Sequence, residues 1–155
     1  MIILLDIDGV LVTTPAWQQV ELLPDGFMKF NERAVECLLT LFKATNASIV
    51  LSTTHRISFD IPTWQSIFKA RGLPFEVISK LNDKTHISQL RSRGAEIEEW
   101  VNRVGHTENY VIIDDDRSVA ALPQSITSRW VATSPLIGFD KYGLTKALQI
   151  LKQDT

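Results

Sequence analysis

Leu4-Leu5-Asp6-Ile7-Asp8-Gly9-Val10-Leu11 is an aliphatic run that carries two carboxylates one residue apart and then a glycine. With Ile2 and Ile3 ahead of it, the run reads as a buried strand. Strand side chains alternate with period two, so Asp6 and Asp8 project toward one region where the strand ends. Two acids there repel each other unless a cation sits between them. Gly9 lets the backbone turn sharply at that point, or approach a ligand closely, as a residue with a Cβ would not.

Outward from this stretch, short runs rich in Ile and Val alternate with helical patterns. The expected strands are Ile2 to Asp6, Ser48 to Ser52, Phe75 to Ile78, Tyr110 to Asp114 and Arg129 to Thr133. Asn31 N-caps an expected helix reaching about Thr45, with Val35, Leu38, Leu39 and Phe42 on one face. A second helix has Pro62 in its first turn and stops at Gly72. A third follows Gly94 and buries Ile97, Trp100, Val101 and Val104, and the last runs from about Gly143 to Lys152 and buries Leu144, Leu148 and Leu151. This alternation predicts an α/β fold: a single-domain Rossmann-like three-layer sandwich over residues 1–155, its parallel sheet of five strands covered by helices on both faces, with right-handed crossovers.

Two stretches break the pattern. Thr13 to Phe30 holds two prolines and a Pro24-Asp25-Gly26 turn signal, so residues 13–30 read as a small flap, loop or hairpin after the first strand. Trp17, Phe27 and Phe30 in it suit a flap over a site, a stacking surface or ordinary core. Lys80 to Arg93 is polar and aperiodic.

The 155 residues suit one hydrophobic core. Sixteen Lys and Arg against eighteen Asp and Glu give a net charge of −2 without runs of like charge, which excludes a broad basic footprint for nucleic acid or an anionic membrane. The lone Cys37, among Val35, Leu38 and Leu39, reads as a core filler rather than a nucleophile. The first apolar run is broken by acids and lacks a basic leader, and no later segment approaches the ~20 apolar residues of a membrane span. The expectation is a cytoplasmic protein with no membrane partner.

The fourth expected strand also ends in acids, Asp114-Asp115-Asp116. If it neighbours the first, five carboxylates meet at the carboxyl edge of the sheet, the usual ligand crevice of an open parallel sheet. Either some are protonated or a divalent cation lies among them, and all-oxygen ligation favours Mg²⁺ over zinc. None of His55, His86 and His106 has zinc-motif spacing, although His55 is near enough to the second strand end to line the site. Ser52 and Thr53, at that strand end, offer donors for phosphate oxygens without adding an anion. Arg91, Arg93, Lys84 and Lys80 are the candidates for a cation opposite the metal. Asp116 reads as an N-cap, and Asp60 and Asp83 as turn residues.

Asp6-Ile7-Asp8-Gly9-Val10-Leu11 resembles the first motif of the haloacid dehalogenase-like (HAD) superfamily, mostly Mg²⁺-dependent phosphatases and phosphotransferases. Ser52 stands where that family's second motif places its phosphate-binding Ser or Thr, and Asp114-Asp115 match its acidic fourth motif. The resemblance implies that Asp6 is a nucleophile forming an aspartyl-phosphate. Asp8 would protonate the leaving oxygen and later activate water. Mg²⁺ would be held by Asp6, the backbone carbonyl of Asp8, and Asp115 with Asp114 close behind. The third motif departs from the usual lysine: Arg93 stands nearest the helix start, with Lys84 nine positions earlier. The stretches Arg93 to Val101 and Tyr110 to Asp116 are similar to a narrower subgroup that includes the phosphatase-like domains of predicted RNA-repair enzymes. Larger members carry a cap domain that has no room here, so the resemblance implies an open site. Its substrate would be a phosphorylated small molecule or a nucleic-acid end.

Two other functions compete with the implied phosphomonoesterase. A binding module that keeps the scaffold without turnover has no need of the second acid, Asp8. A receiver-like phosphoacceptor needs an aspartate at the third strand, where Phe75-Glu76-Val77-Ile78-Ser79 has none.

Overall fold

The computed structural model describes residues 1–15 and 17–152. Its single sheet holds five parallel strands: β1 (Ile2–Leu5), β2 (Ser48–Leu51), β3 (Ile78–Lys80), β4 (Tyr110–Asp114) and β5 (Trp130–Ala132), in the order β3-β2-β1-β4-β5. The register sets Leu5 beside Leu51 on one side and Ile113 on the other. The chain leaves β1 toward β2 and β3, then crosses back to β4. The gap between the tips of β1 and β4 is therefore the switch point at which α/β sheets hold ligands, and Asp6 and Asp114 stand there.

Helices α1 (Glu32–Thr45), α2 (Ile61–Ala70) and α5 (Lys141–Lys152) cover one face, while α3 (Arg93–Arg103) and the short α4 (Gln124–Thr127) cover the other. Right-handed crossovers explain the division, because the connection that reverses direction must lay its helix on the opposite face. Alternate strand residues feed the two cores. Ile3, Leu5, Ile49, Leu51, Val111 and Ile113 pack beneath α1, α2 and α5, whereas Leu4, Val50 and Ile112 meet Ile97, Trp100 and Val119.

Local chemistry sets the helix starts. Asn31 accepts the Ala34 N–H at 3.1 Å, Asp60 accepts that of Thr63 at 2.9 Å, and Ser92 accepts that of Ala95 at 3.2 Å. Because Ser92 is the cap, α3 begins one residue before Gly94 rather than after it. Gly94 lies in the first turn because a Cβ there would come within 2.5 Å of the Ser118 carbonyl oxygen.

Three further expectations shift. β3 is Ile78–Lys80, not Phe75 to Ile78: the Phe75 ring packs against Phe42 and Phe68, each at 5.1 Å, which holds that residue off the sheet. The buried stripe of α1 is Ala34, Cys37, Leu38 and Leu41, with Val35, Leu39 and Phe42 only partly covered. In α5, Ala147, Ile150 and Leu151 are buried and Leu144 and Leu148 lie at the margin. Cys37 is buried, and burial pushes its thiol up from the ordinary range, which suits an inert filler.

Within the excursion after β1, residues 21–29 form a folded hairpin. The Gly26 N–H donates to Leu23 O and the Leu23 N–H to Phe27 O, each at 2.9 Å, around Pro24-Asp25-Gly26, with Gly26 at φ 83°. Arg71, just beyond α2, donates to both Asp25 carboxylate oxygens at 2.6 and 2.9 Å, to Met28 O at 2.8 Å and to Phe27 O at 3.0 Å. Phe27 and Phe30 are core, while Trp17 is 82% exposed.

Candidate active site

At the tip of β1 the ladder continues one bond beyond the strand, with the Asp6 N–H donating to Ile113 O at 3.1 Å. The chain then closes a tight turn in which Ile7 O accepts the N–H groups of Val10, Leu11 and Val12. Gly9 sits in this turn at φ 78°, and a Cβ there would lie 2.1 Å from an Asp115 carboxylate oxygen. The sharp turn expected at Gly9 is present, and the space a Cβ would need is taken by the Asp115 side chain. Thr133 donates its hydroxyl to Gly9 O at 2.7 Å and its N–H to Asp114 O at 3.2 Å, binding the turn to the tips of β4 and β5.

Asp6, Asp114 and Asp115 each offer an oxygen, all lying within 4.8 Å of one another, and Asp6 and Asp114 are buried. One cation faces them: Arg93 Nη1 lies 2.7 Å from Asp114 Oδ2 and 3.2 Å from Asp6 Oδ1. The seat of Arg93 follows from α3, whose first turn docks on the segment after β4 through Gly94 N–H donating to Ser118 Oγ at 2.8 Å. Three ionised carboxylates against one guanidinium would leave two negative charges uncompensated. The electrostatics reflect this. Burial first, and then the Asp114 charge, hold the Asp6 carboxyl well above its ordinary range, with Arg93 opposing. Burial likewise raises Asp115, whose carboxylate lies within 4.8 Å of those of Asp6 and Asp114. Burial works against the Arg93 charge, but Asp6 and Asp114 outweigh it and hold the guanidinium firmly protonated. A dication among these oxygens would supply the missing charge, and an all-carboxylate set suits a hard cation.

Asp8 is outside this cluster. Its carboxylate turns outward, 58% exposed, and meets His55 Nε2 at 2.7 Å. Any part for Asp8 in holding a metal would fall to its backbone carbonyl.

Ser52 Oγ donates to Asp114 Oδ2 at 3.3 Å, and Thr53 Oγ1 accepts the His55 N–H at 3.3 Å, so both hydroxyls are engaged and buried. Of the other expected cations, Lys84 is half-buried in the loop after β3, where its N–H donates to Asn82 Oδ1 at 3.2 Å. Lys80 donates to Phe59 O at 2.7 Å, and Arg91 is exposed. Asp116 caps the turn Arg117–Ala121 by accepting the Ser118 N–H at 2.9 Å.

Sequence reasoning missed Arg56 and Glu96, both buried. Arg56 Nη2 meets Glu96 Oε2 at 2.8 Å and Asn82 Oδ1 at 3.2 Å, while Nη1 donates to Ser52 O at 3.1 Å and Thr53 O at 3.0 Å. Peptides are planar and trans, so turning these two carbonyls toward Arg56 turns the Thr53 and Thr54 N–H groups the opposite way. The only signal in the sequence was an arginine four residues after Ser52, and nothing there paired it with Glu96.

The family described as the HAD domain in Swiss Army Knife RNA repair proteins matches residues 2–143. The chain belongs to this family. The match takes in every residue of the acidic cluster, together with Ser52, His55 and Arg93. No curated protein and no solved structure matches the chain significantly. Among the described residues of this HAD domain, no helix is long and apolar enough to cross a membrane.

Proposed function

We propose that this HAD domain is a Mg²⁺-dependent phosphomonoesterase that works through an aspartyl-phosphate on Asp6. The observation that carries the reading is the contrast between two acids separated by a single residue: Asp6 is buried among Asp114, Asp115 and Arg93, while Asp8 is exposed and hydrogen-bonded to His55. A nucleophile needs a fixed, charge-balanced seat, and a proton donor needs access to the leaving group.

Asp6, Asp114 and Asp115, with the Asp8 carbonyl, would hold Mg²⁺, which when bound lowers the repulsion between a carboxylate and a phosphate dianion. An Asp6 oxygen bonds to phosphorus as the bond to the ester oxygen breaks, and Asp8 delivers its proton to that oxygen. Asp8, now a carboxylate, takes a proton from water as the water oxygen attacks phosphorus. The bond to Asp6 then breaks and inorganic phosphate leaves. Arg93 balances charge beside Asp6, and the Thr53 and Thr54 N–H groups, aimed by Arg56, are donors for phosphate oxygens. Lys84, in the loop after β3, would be a second cation for the phosphate.

Among the described residues no cap domain covers these acids, and the substrate we infer is a phosphorylated small molecule or a nucleic-acid end, met in the cytoplasm. The test is phosphate release from nucleotides, sugar phosphates and 2′-, 3′- and 5′-phosphorylated oligonucleotides, with Mg²⁺ and with chelator. Wild type should release phosphate only with the metal, and Asp6→Asn should lose activity by roughly 10⁴ or more while remaining folded. Release by Asp6→Asn at the wild-type rate would end the proposal.

A further inference from the structure

His55 has no part in the mechanism above, yet more of the fold converges on it than a surface histidine requires. Its Nε2 stands 2.7 Å from Asp8 Oδ2, and its own N–H is held by Thr53 Oγ1 at 3.3 Å. The imidazole edge meets the Phe27 ring at 5.4 Å with an interplanar angle of 87°. Phe27 is itself immobilised, edge-on to Phe30 at 6.2 Å, Phe59 at 5.8 Å and Trp64 at 5.4 Å. The hairpin that carries Phe27 is tied down by Arg71, which grips the Asp25 carboxylate and the carbonyls of Phe27 and Met28 and stacks over the Phe27 and Phe30 rings at 5.6 and 5.0 Å. The excursion after β1 thus ends, through Phe27, against the one imidazole that touches Asp8.

We propose that His55 is a positioning residue: as an Nε2–H donor to Asp8 Oδ2 it fixes the carboxyl plane and leaves Oδ1 as the oxygen that carries the transferable proton. The inference rests on the phosphomonoesterase reading and deepens it. In the step concerned, an Asp6 oxygen bonds to phosphorus, the ester P–O bond breaks with its electrons going to the leaving oxygen, and the proton on Asp8 Oδ1 passes to that oxygen. His55 keeps its own proton throughout. An exposed carboxyl with no such partner samples many rotamers, few of which reach the leaving oxygen, so the hydrogen bond pre-organises the transfer.

The requirement for that proton depends on the leaving group, which separates positioning from general support of the fold. The experiment compares kcat/KM for phenyl phosphate and p-nitrophenyl phosphate with Mg²⁺ in wild type, His55→Ala, His55→Gln and Phe27→Leu, with thermal melts on each protein. The two esters are close in shape and differ mainly in how much the departing oxygen needs a proton. His55→Ala should lose about tenfold more on phenyl phosphate than on p-nitrophenyl phosphate, within the range that general acid catalysis supplies. His55→Gln, whose amide N–H reaches Asp8 in the same direction, should recover most of the difference. Phe27→Leu should show the same bias, more weakly. In wild type, ¹⁵N shifts of the ring should show hydrogen on Nε2.

Equal losses on the two esters, or hydrogen on Nδ1 alone, would overturn the positioning role and leave the phosphatase reading standing. A wild-type protein that cleaves neither of these esters nor any member of the broader panel removes both.

Discussion

Asp6 and Asp8 come from one strand tip and are separated by a single residue, but the fold gives them opposite surroundings. The Asp6 side chain is 5% exposed, against 58% for Asp8. Asp6 belongs to an inner, buried region where charged groups crowd together: Arg93 spans Asp6 and Asp114, Ser52 donates to Asp114, and Asp115 sits over Gly9. Asp8 belongs to an outer, exposed region, where a single hydrogen bond between its carboxylate and His55 takes the place of a network. The contrast separates two physical tasks. Holding charge at a buried point requires countercharge and rigidity, while exchanging protons requires exposure and a controlled direction.

The sharpest way to break this contrast is to remove the inner countercharge. Arg93→Met leaves Asp6 and Asp114 buried without their partner, and breaking such a pair costs about 3–5 kcal/mol. Urea denaturation with chelator present should show a loss of that size, together with loss of turnover. Wild-type stability in this variant would mean that the inner acids are protonated and need no partner.

A second, smaller effect sharpens the inner side through pH. The folded-state pKa of Asp6 and Asp115 is raised, so with chelator the native state binds more protons than the unfolded chain. Their contribution is fully present below the unfolded value, about 3.9, and is lost as pH rises through the folded values. Apo stability should therefore fall across the weakly acidic range, more steeply in wild type than in Asp6→Asn. Mg²⁺ should restore wild type in a concentration-dependent way, since a ligand that binds only the native state stabilises by mass action. A melting temperature unmoved by Mg²⁺ would count against the metal.

The smallest effect probes the support of the outer side. Hydrogen bonds from Arg71 lower the Asp25 carboxyl to about 2. A lowered pKa gives stability that is present above the unfolded value of about 3.9 and is lost as pH falls toward 2. Because Asp25 is largely exposed, solvent screening limits the gain to about 1 kcal/mol or less. Asp25→Asn should be slightly less stable than wild type at neutral pH, and the gap should close by pH ~2. A gap that stays constant with pH would assign the effect to packing rather than charge.

Much of this arrangement was legible in the chain itself. Hydrophobic runs ending in acids placed the tips of β1 and β4 correctly, because a fully buried strand must be apolar until it reaches the ligand edge. The cap Asn31 located α1, and Pro62 with Gly72 located α2 to within a residue or two, since such signals act between near neighbours, although Asp60, which read as a turn residue, is the α2 N-cap. The larger failures are long-range. Phe75 looked like strand until the rings of Phe42 and Phe68 held it elsewhere. Phe27 and Phe30 could not be told from a flap until Arg71, more than 40 positions away, was seen to grip that hairpin.

The sequence by itself determined the α/β class, the acids at two strand tips and the shared motifs, because periodicity, capping and strand ends are written within a few residues. Tertiary structure alone decided that Asp6 and Asp8 part company, that Arg93 rather than Lys80 or Arg91 faces the carboxylates, and that Arg56 pairs with Glu96 beneath the Ser52–Thr53 turn. These outcomes depend on which distant segments share a low-dielectric interior, where a charge survives only beside its partner. No local pattern encodes that pairing.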